Sequence, residues 1–123
     1  MPIALLIDDL LNNSTMLELY LKRYGLDSVI VSSGLEGYEH AQQSPPDIIF
    51  TDIIMPTKGW NGYQTIRKFR DNPALKHIPI IAVSAAGDRR EALTNGADDF
   101  LQRPYNFDQV EKVLTRLLSS LEN

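Results

Sequence analysis

Five short strand-like runs alternate with helical segments along this chain, and that alternation constrains the fold more than any other feature. The spacing predicts strands at 3–7, 28–31, 47–51, 78–83 and 99–102, and helices at 12–24, 34–42, 62–70, 88–94 and 106–121. The runs at 3–7 and 48–50 are too apolar for half-exposed strands, so both are expected to be buried on both faces of a sheet. Strand–helix alternation of this kind forms right-handed crossovers, which predicts an α/β fold on a doubly wound, five-stranded parallel sheet.

Acidic residues stand where two of these strands end. Asp8 and Asp9 follow the first run, and the third run leads through Thr51 into Asp52. Sites in open α/β sheets form beyond the carboxyl ends of the strands, so the three carboxylates converge if the two strands are neighbours. Carboxylates gathered in one pocket repel each other, and a hard divalent cation such as Mg²⁺ relieves that repulsion. The pattern therefore predicts a magnesium site.

A hydroxyl and a fixed positive charge end two further strands. Ser84 follows the fourth run, and Arg103 with Pro104 follows the fifth. Both side chains are suited to holding phosphoryl oxygens.

Composition narrows the classes of function. A length of 123 residues fits one globular domain. The net charge of −4 argues against a nucleic-acid partner. Because the chain has no cysteine, disulfides, thiolate nucleophiles and cysteine-ligated metals are excluded. No apolar run approaches the ~18 residues of a membrane helix, and no signal peptide is recognisable. A cytoplasmic location without membrane attachment is expected.

These motifs together carry a resemblance to a known family. Four motifs each follow a strand, in the order found in response-regulator receiver domains. They are Asp8-Asp9, Asp52 with Met55-Pro56, Ser84-Ala85 and a basic residue before Pro104. The resemblance covers residues 3 to about 120. It implies a flavodoxin-like (βα)5 fold with strand order 2-1-3-4-5, and a single receiver domain over residues 1–123 with no output domain.

The resemblance also implies a function. A stand-alone receiver accepts a phosphoryl group on Asp52 from a phosphohistidine of a sensor histidine kinase or histidine phosphotransfer protein, and signals to a downstream protein by contact. Mg²⁺ is held by Asp9, Asp52 and the backbone carbonyl of Ile54, while Asp8 contacts the metal through water. Ser84 is the switch hydroxyl. The acceptance step is catalysed by the pocket of the chain itself, but such a chain is a signalling module rather than a metabolic enzyme.

Two features depart from the family pattern. Arg103 stands where the family has lysine. Its planar guanidinium either binds the phosphoryl group bidentately or swings out of the pocket. The loop after Asp52 is about two residues longer than usual, and its Trp60 either folds over the pocket or lies exposed. Pro104 is expected to follow a cis peptide bond.

For several other positions the resemblance implies a functional role, and an ordinary structural explanation exists beside it. Phe100 is either the aromatic switch or a core residue. Ile54 and Ala86 lie two residues after the acceptor and the switch hydroxyl, where relatives tune the lifetime of the phosphoryl group; neither side chain can orient a water molecule. His40 and His77 lack neighbouring ligands and are expected to be surface or loop residues.

Two surfaces are candidates for binding a partner protein. Leu17, Tyr20, Leu21 and Tyr24 form one stripe of the first helix, and Leu19 lies opposite, either as a scattered surface leucine or as part of a docking or dimer surface. The face made by the fourth helix, fifth strand and fifth helix, with Arg89, Arg90, Gln102 and Tyr105, is the expected signalling face and a route to a homodimer.

Three alternative functions are compatible with parts of this pattern. A pseudo-receiver would keep the fold as a phosphorylation-independent interaction module, which Arg103 favours. A metal-dependent phosphohydrolase would need an acid where Ile54 stands. A flavodoxin-like FMN protein would need a Ser-, Thr- and Gly-rich loop after the first strand, where Asp8 and Asp9 repel phosphate.

Overall fold

The computed structural model describes residues 2–9, 11–54, 59–86 and 89–118, and in these ranges strands and helices alternate as predicted. The strands are β1 (Ile3–Ile7), β2 (Asp27–Val31), β3 (Ile48–Asp52), β4 (Ile80–Ser84) and β5 (Asp99–Gln102). The helices are α1 (Leu11–Tyr24), α2 (Gly34–Gln43), α3 (Gly62–Asp71), α4 (Arg89–Thr94) and α5 (Phe107–Leu118).

The sheet has the predicted topology. Its strands are parallel and lie in the order β2-β1-β3-β4-β5, which confirms the doubly wound fold. β1 and β3 are neighbours, with Ile7 opposite Thr51. Because the winding reverses between these strands, their carboxyl ends border the crevice in which such folds bind ligands. The residues that follow β1 therefore lie beside the end of β3.

Helices cover both faces of the sheet. Leu5 and Ile7 of β1 belong to the hydrophobic cluster shared with α2, α3 and α4, whereas Ala4 and Leu6 belong to the cluster shared with α1 and α5. Every residue of β3 and β4 is buried, as expected for strands packed on both faces. The central strands thus give a fixed base to the side chains at their ends.

The start of α3 lies directly against the end of β3. Asn61 accepts a hydrogen bond from the Gln64 N–H, and the Gln64 side chain accepts one from the Asn61 N–H, each at 2.9 Å, which forms a capping box. The next residue, Gly62, donates its N–H to the Ile53 carbonyl at 3.0 Å. A Cβ at Gly62 would overlap the Asp52 carbonyl. Glycine at this position therefore allows the helix to begin in contact with the backbone of Asp52.

Most predicted boundaries agree with the structure within a residue, and β4 is the main exception. It begins at Ile80 rather than Ile78. The Arg70 guanidinium donates to the carbonyls of Lys76 and Ile78, at 2.8 and 2.7 Å, so these residues form a turn held by α3. The strand starts only after that turn. The predicted positions 55–58, 88 and 119–121 lie outside the described residues.

The apolar residues of α1 divide between core and surface. Leu17 and Leu21 are buried, Tyr20 and Tyr24 are half-buried, and Leu19 is 57% exposed. The stripe is thus explained by packing, and Leu19 remains on the surface, where both of its interpretations stay open.

The two histidines lie in different environments. His77 is exposed, as predicted. His40 is half-buried, and its Nδ1 is buried without a hydrogen-bond partner among the described residues. The His40 side chain is thus only partly covered, on the side of α2 that carries the buried residues Gly37 and Ala41.

Candidate functional site

Three carboxylates meet at the carboxyl ends of β1 and β3. Asp8 and Asp9 follow β1, and Asp52 is the last residue of β3. One carboxylate oxygen from each residue lies within 4.8 Å of the other two. Asp8 and Asp52 are buried, at 3% and 6% exposure. The structure therefore gathers the acidic residues that the sequence singled out into one small pocket.

The pocket raises the proton affinity of Asp52. Burial raises the pKa of Asp52 above its ordinary value, and the charges of Asp8 and Asp9 add to the increase. The Arg103 guanidinium and the Ile54 N–H oppose it. The carboxylate therefore carries an electrostatic cost when it is charged, which an additional cation would lower.

Arg103 lies inside the pocket. Its Nη2 is 3.1 Å from Asp8 Oδ2, its Nη1 is 3.6 Å from Asp52 Oδ2, and its side chain is 20% exposed. The Arg103 N–H also donates to the Ser84 carbonyl at 2.9 Å, which ties the end of β5 to β4. The Arg103–Pro104 peptide bond is cis, as expected. Of the two placements considered for the guanidinium, the structure has the inward one.

The donor set fits a hard divalent cation. Asp9 Oδ1 is buried and has no hydrogen-bond partner within the described chain. A buried carboxylate oxygen without a donor is costly, and coordination to a metal would satisfy it. Three carboxylates at this separation are the oxygen ligands that Mg²⁺ prefers. Ile54 adds an N–H bonded to Asp52 Oδ1 at 3.2 Å, while its carbonyl remains a predicted ligand.

Ser84 lies on the strand beside Asp52. It is the last residue of β4, it is 1% exposed, and its neighbour Val83 pairs with Asp52 across the sheet. The Ser84 Oγ accepts the Ala86 N–H at 3.2 Å. Because a hydroxyl has one proton to donate as well as lone pairs, this bond leaves the Ser84 O–H a donor.

The packing partners of Phe100 and Trp60 are known from the structure. Phe100 is 9% exposed and belongs to the cluster under α3 and α4, which is the core placement. The Trp60 ring is half-buried and meets Tyr38 of α2 edge-on, with centroids 5.6 Å apart. Lys68 Nζ lies 5.3 Å from the Trp60 centroid. Trp60 is thus packed on α2 and α3, a placement that the sequence did not suggest.

Sequence reasoning also missed a charge cluster at the start of β5. Asp99 is buried and accepts from Arg89 of α4 at 2.8 Å and Arg116 of α5 at 2.6 Å. Burial raises the pKa of Asp99, but the Phe100 N–H and the two guanidiniums outweigh it and hold the pKa below its usual value. An acidic residue opening an otherwise apolar strand was the available signal. The cluster braces the predicted signalling face.

Comparison with known proteins agrees with the fold and the pocket. The sequence pattern of the response regulator receiver domain family matches residues 4–115, and the chain belongs to that family. Response regulator PleD of Caulobacter vibrioides is 35% identical over 103 residues, covering 81% of this chain and 22% of PleD.

Solved structures give the same result. The signal receiver domain of a signal transduction histidine kinase from Syntrophus aciditrophicus is 28% identical with a TM-score of 0.89, covering 100% of this chain and 94% of that chain. The receiver domain of sensor histidine kinase PA1611 from Pseudomonas aeruginosa is 28% identical with a TM-score of 0.85, covering 96% and 98%, and holds a magnesium ion in its active-site cleft.

Family membership fixes the general class of the chain. Receiver domains are signalling modules of two-component systems rather than classical enzymes, and they generally bind Mg²⁺ at an acidic pocket. The chain spans only about a fifth of the length of PleD, at 22%. The single-domain organisation stays a prediction. No helix in the described ranges combines the length and the apolar character needed to cross a membrane.

Proposed function

We propose that residues 1–123 form a receiver that accepts a phosphoryl group on Asp52 from a phosphohistidine and passes the signal on by protein contact. One observation carries the proposal: Asp8, Asp9 and Asp52 converge at the ends of neighbouring strands, and the Arg103 guanidinium lies against two of them. Phosphoryl transfer depends on positioning and charge neutralisation, and this pocket offers both.

Within this proposal, Asp9, Asp52 and the Ile54 carbonyl would hold Mg²⁺, with Asp8 acting through water. The bound ion would neutralise charge on the phosphoryl oxygens. The buried, unpartnered Asp9 Oδ1 supports this assignment. The Ile54 N–H holds Asp52 Oδ1 at 3.2 Å and so restricts the orientation of the carboxylate.

The transfer itself needs no other nucleophile. An Asp52 carboxylate oxygen bonds to phosphorus while the phosphorus–nitrogen bond to the donor histidine breaks. The imidazole leaves with that electron pair, and the product is an acyl phosphate on Asp52. Ser84 would donate its O–H to one phosphoryl oxygen, and Arg103 would bind another. Asp52 must be charged to attack, so the added cation also serves to lower the raised pKa of its carboxyl.

The proposed partners follow from this chemistry. A sensor histidine kinase or histidine phosphotransfer protein would supply the phosphoryl group, in the cytoplasm. A downstream protein would bind the face formed by α4, β5 and α5, where Arg89, Arg90 and Gln102 are exposed and Tyr105 is half-buried. A homodimer through the same face is the alternative use of that surface.

A second function, a phosphorylation-independent interaction module, is favoured by one contact. Arg103 already places a positive charge against both Asp8 and Asp52. A pocket neutralised in this way could keep its conformation without a phosphoryl group.

Intact mass after incubation with acetyl phosphate and MgCl₂ tests the proposal and separates these functions. We expect wild type to gain the mass of one phosphoryl group, and Asp52→Asn to gain none. Asp71→Asn, which makes the same change at an exposed position of α3, is the matched control and should react like wild type. A wild-type chain that gains no mass from acetyl phosphate or from a phosphorylated histidine donor would rule out phosphoryl acceptance and favour the interaction module.

A further inference from the structure

Backbone hydrogen bonds join the end of β3 to the start of α3. The Ile53 N–H donates to the Val83 carbonyl of β4 at 3.1 Å, and the Ile53 carbonyl accepts the Gly62 N–H at 3.0 Å. The following residue, Ile54, donates its N–H to Asp52 Oδ1 at 3.2 Å. The position of Gly62 therefore acts directly on Ile53, and through it on the residue whose carbonyl is the predicted metal ligand.

Trp60 fixes the chain immediately before α3. Its ring meets the Tyr38 ring edge-on, with centroids 5.6 Å apart and planes at 72°, and Lys68 Nζ lies 5.3 Å from its centroid. The residue before it, Gly59, has a φ of +118°, a conformation that favours glycine. The residue after it, Asn61, is the N-cap of α3. The indole thus lies between a left-handed turn and a helix cap, packed on two helices.

Tyr38 is a rigid support for the indole. Its ring meets that of Phe69 edge-on, with centroids 5.4 Å apart, and Phe69 is fully buried. Its hydroxyl accepts a hydrogen bond from Asn72 Nδ2 at 2.9 Å. Both contacts tie Tyr38 of α2 to the last turn of α3 and the residue that follows it. The indole therefore rests on a side chain that the packed core holds in place.

We propose that Trp60 is a positioning residue, which anchors the segment after Asp52 and so keeps Ile54 in place beside the pocket. The indole fixes the chain before the first turn of α3, that turn holds Ile53 through the Gly62 hydrogen bond, and Ile53 leads into Ile54. The segment is about two residues longer than is usual in receivers, and ordering a longer connection costs more conformational entropy. Apolar contact between the indole and α2 offsets that cost.

This inference rests on the Ile54 carbonyl ligand of the proposed function. It adds a residue that lies outside the acidic pocket and acts on the pocket through the backbone. Because the anchor is a packing contact rather than a ligand, its loss should weaken the pocket without abolishing it.

Amide hydrogen exchange, followed by NMR on the metal-free protein, tests the anchor directly. We expect Trp60→Ala to lower the protection of the Gly62 N–H, relative to the amides of β3, about fivefold, because an edge-to-face aromatic pair corresponds to roughly a two- to tenfold change in an equilibrium constant. Trp60→Phe keeps a ring and should recover most of the protection. Tyr24→Ala is the matched control, since it truncates another half-buried aromatic side chain on the opposite face of the sheet. Its effect should stay within about twofold.

Calorimetric titration with MgCl₂ measures the effect of the anchor on the pocket. Trp60→Ala should bind Mg²⁺ about fivefold more weakly than wild type, whereas Trp60→Phe and Tyr24→Ala should stay within about twofold. Because Trp60 acts through Tyr38, the double variant Trp60→Ala, Tyr38→Ala should bind no more weakly than Tyr38→Ala alone. Gly59→Ala leaves the indole intact but strains the positive φ, so it should also lower the protection of the Gly62 N–H.

Unchanged protection of the Gly62 N–H in both Trp60→Ala and Gly59→Ala would overturn the inference. So would a loss of Mg²⁺ affinity that Trp60→Phe does not reverse, or losses that add in the double variant. The result is separable from the proposed function. A wild-type chain that binds Mg²⁺ and gains a phosphoryl group, with Trp60→Ala equal to it in affinity and protection, refutes the anchor alone. Lost protection in Trp60→Ala, together with a wild type that binds no Mg²⁺, supports the anchor and refutes the proposed metal site.

Discussion

The charge cluster around Asp99 predicts a measurable, pH-dependent contribution to stability. Asp99→Asn keeps the shape of the side chain and an acceptor for the Phe100 N–H, which lies 2.7 Å from Asp99 Oδ1. It removes the charge that binds Arg89 and Arg116 at 2.8 and 2.6 Å. The acceptor is buried, but the two arginine side chains are 58% and 56% exposed. The loss is therefore smaller than for wholly buried ion pairs.

The expected magnitude follows from those exposures. A hydrogen bond to a charged group contributes roughly 1.5–3 kcal/mol, whereas an exposed ion pair contributes about 0.2–1 kcal/mol. An intermediate value of about 1 kcal/mol for each arginine predicts a loss of about 2 kcal/mol at pH 7. For a chain of this size, that corresponds to a decrease in Tm of roughly 8 °C.

The direction of the pH dependence follows from the depressed pKa of Asp99. Its stabilising contribution is complete above the unfolded pKa, about 3.9, and is lost as the pH falls through the lower folded value. Urea unfolding followed by circular dichroism at pH 7, 5 and 3 would measure it, with Asp71→Asn as the matched control. If Asp99→Asn has the same free energy of unfolding as wild type at pH 7, the reasoning is refuted. A deficit as large at pH 3 as at pH 7 would show that the charge is not its cause.

Three further predictions concern the pocket. Asp9→Asn should weaken Mg²⁺ binding at least tenfold by calorimetry, since it removes a charged ligand; equal affinity would mean that the metal site is misplaced. Without metal at pH 7, Asp52→Asn should be more stable than wild type, because the raised pKa of Asp52 makes its charged form costly; that gain should disappear below the unfolded pKa, about 3.9, in urea titrations. Phosphorylated wild type should lose its phosphoryl group at least ~10-fold more slowly than the Ile54→Asn, Ala86→Glu double variant, because neither native side chain can orient the attacking water. Equal decay rates by intact mass would remove that argument.

The fold was largely predictable because burial on both faces leaves a clear mark on the sequence. Strands such as β3 and β4 must be apolar throughout, and the positions where that pattern ends identify the site. The boundary of β4 was less predictable. It depends on Arg70 reaching the carbonyls of a turn, and no local pattern encodes that contact.

The placement of long side chains was not predictable for a similar reason. The sequence put Arg103 at the end of a strand, but whether its guanidinium pointed inward depended on Asp8, 95 positions away. Trp60 likewise packs against Tyr38 from a different helix. Periodicity indicates which face of an element a residue occupies. It does not indicate which of several partners a flexible or bulky side chain contacts.

The contact between Trp60 and Tyr38 has a spectroscopic consequence. Trp60 is the single tryptophan of the chain, so all of the tryptophan emission comes from the segment that joins Asp52 to α3. The centroid of its ring lies 5.6 Å from that of Tyr38 and 5.3 Å from the ammonium of Lys68. Any event at the pocket that shifts this segment changes the surroundings of the indole. The unmodified protein therefore carries its own optical reporter for the loop after Asp52, and no label has to be attached near the site.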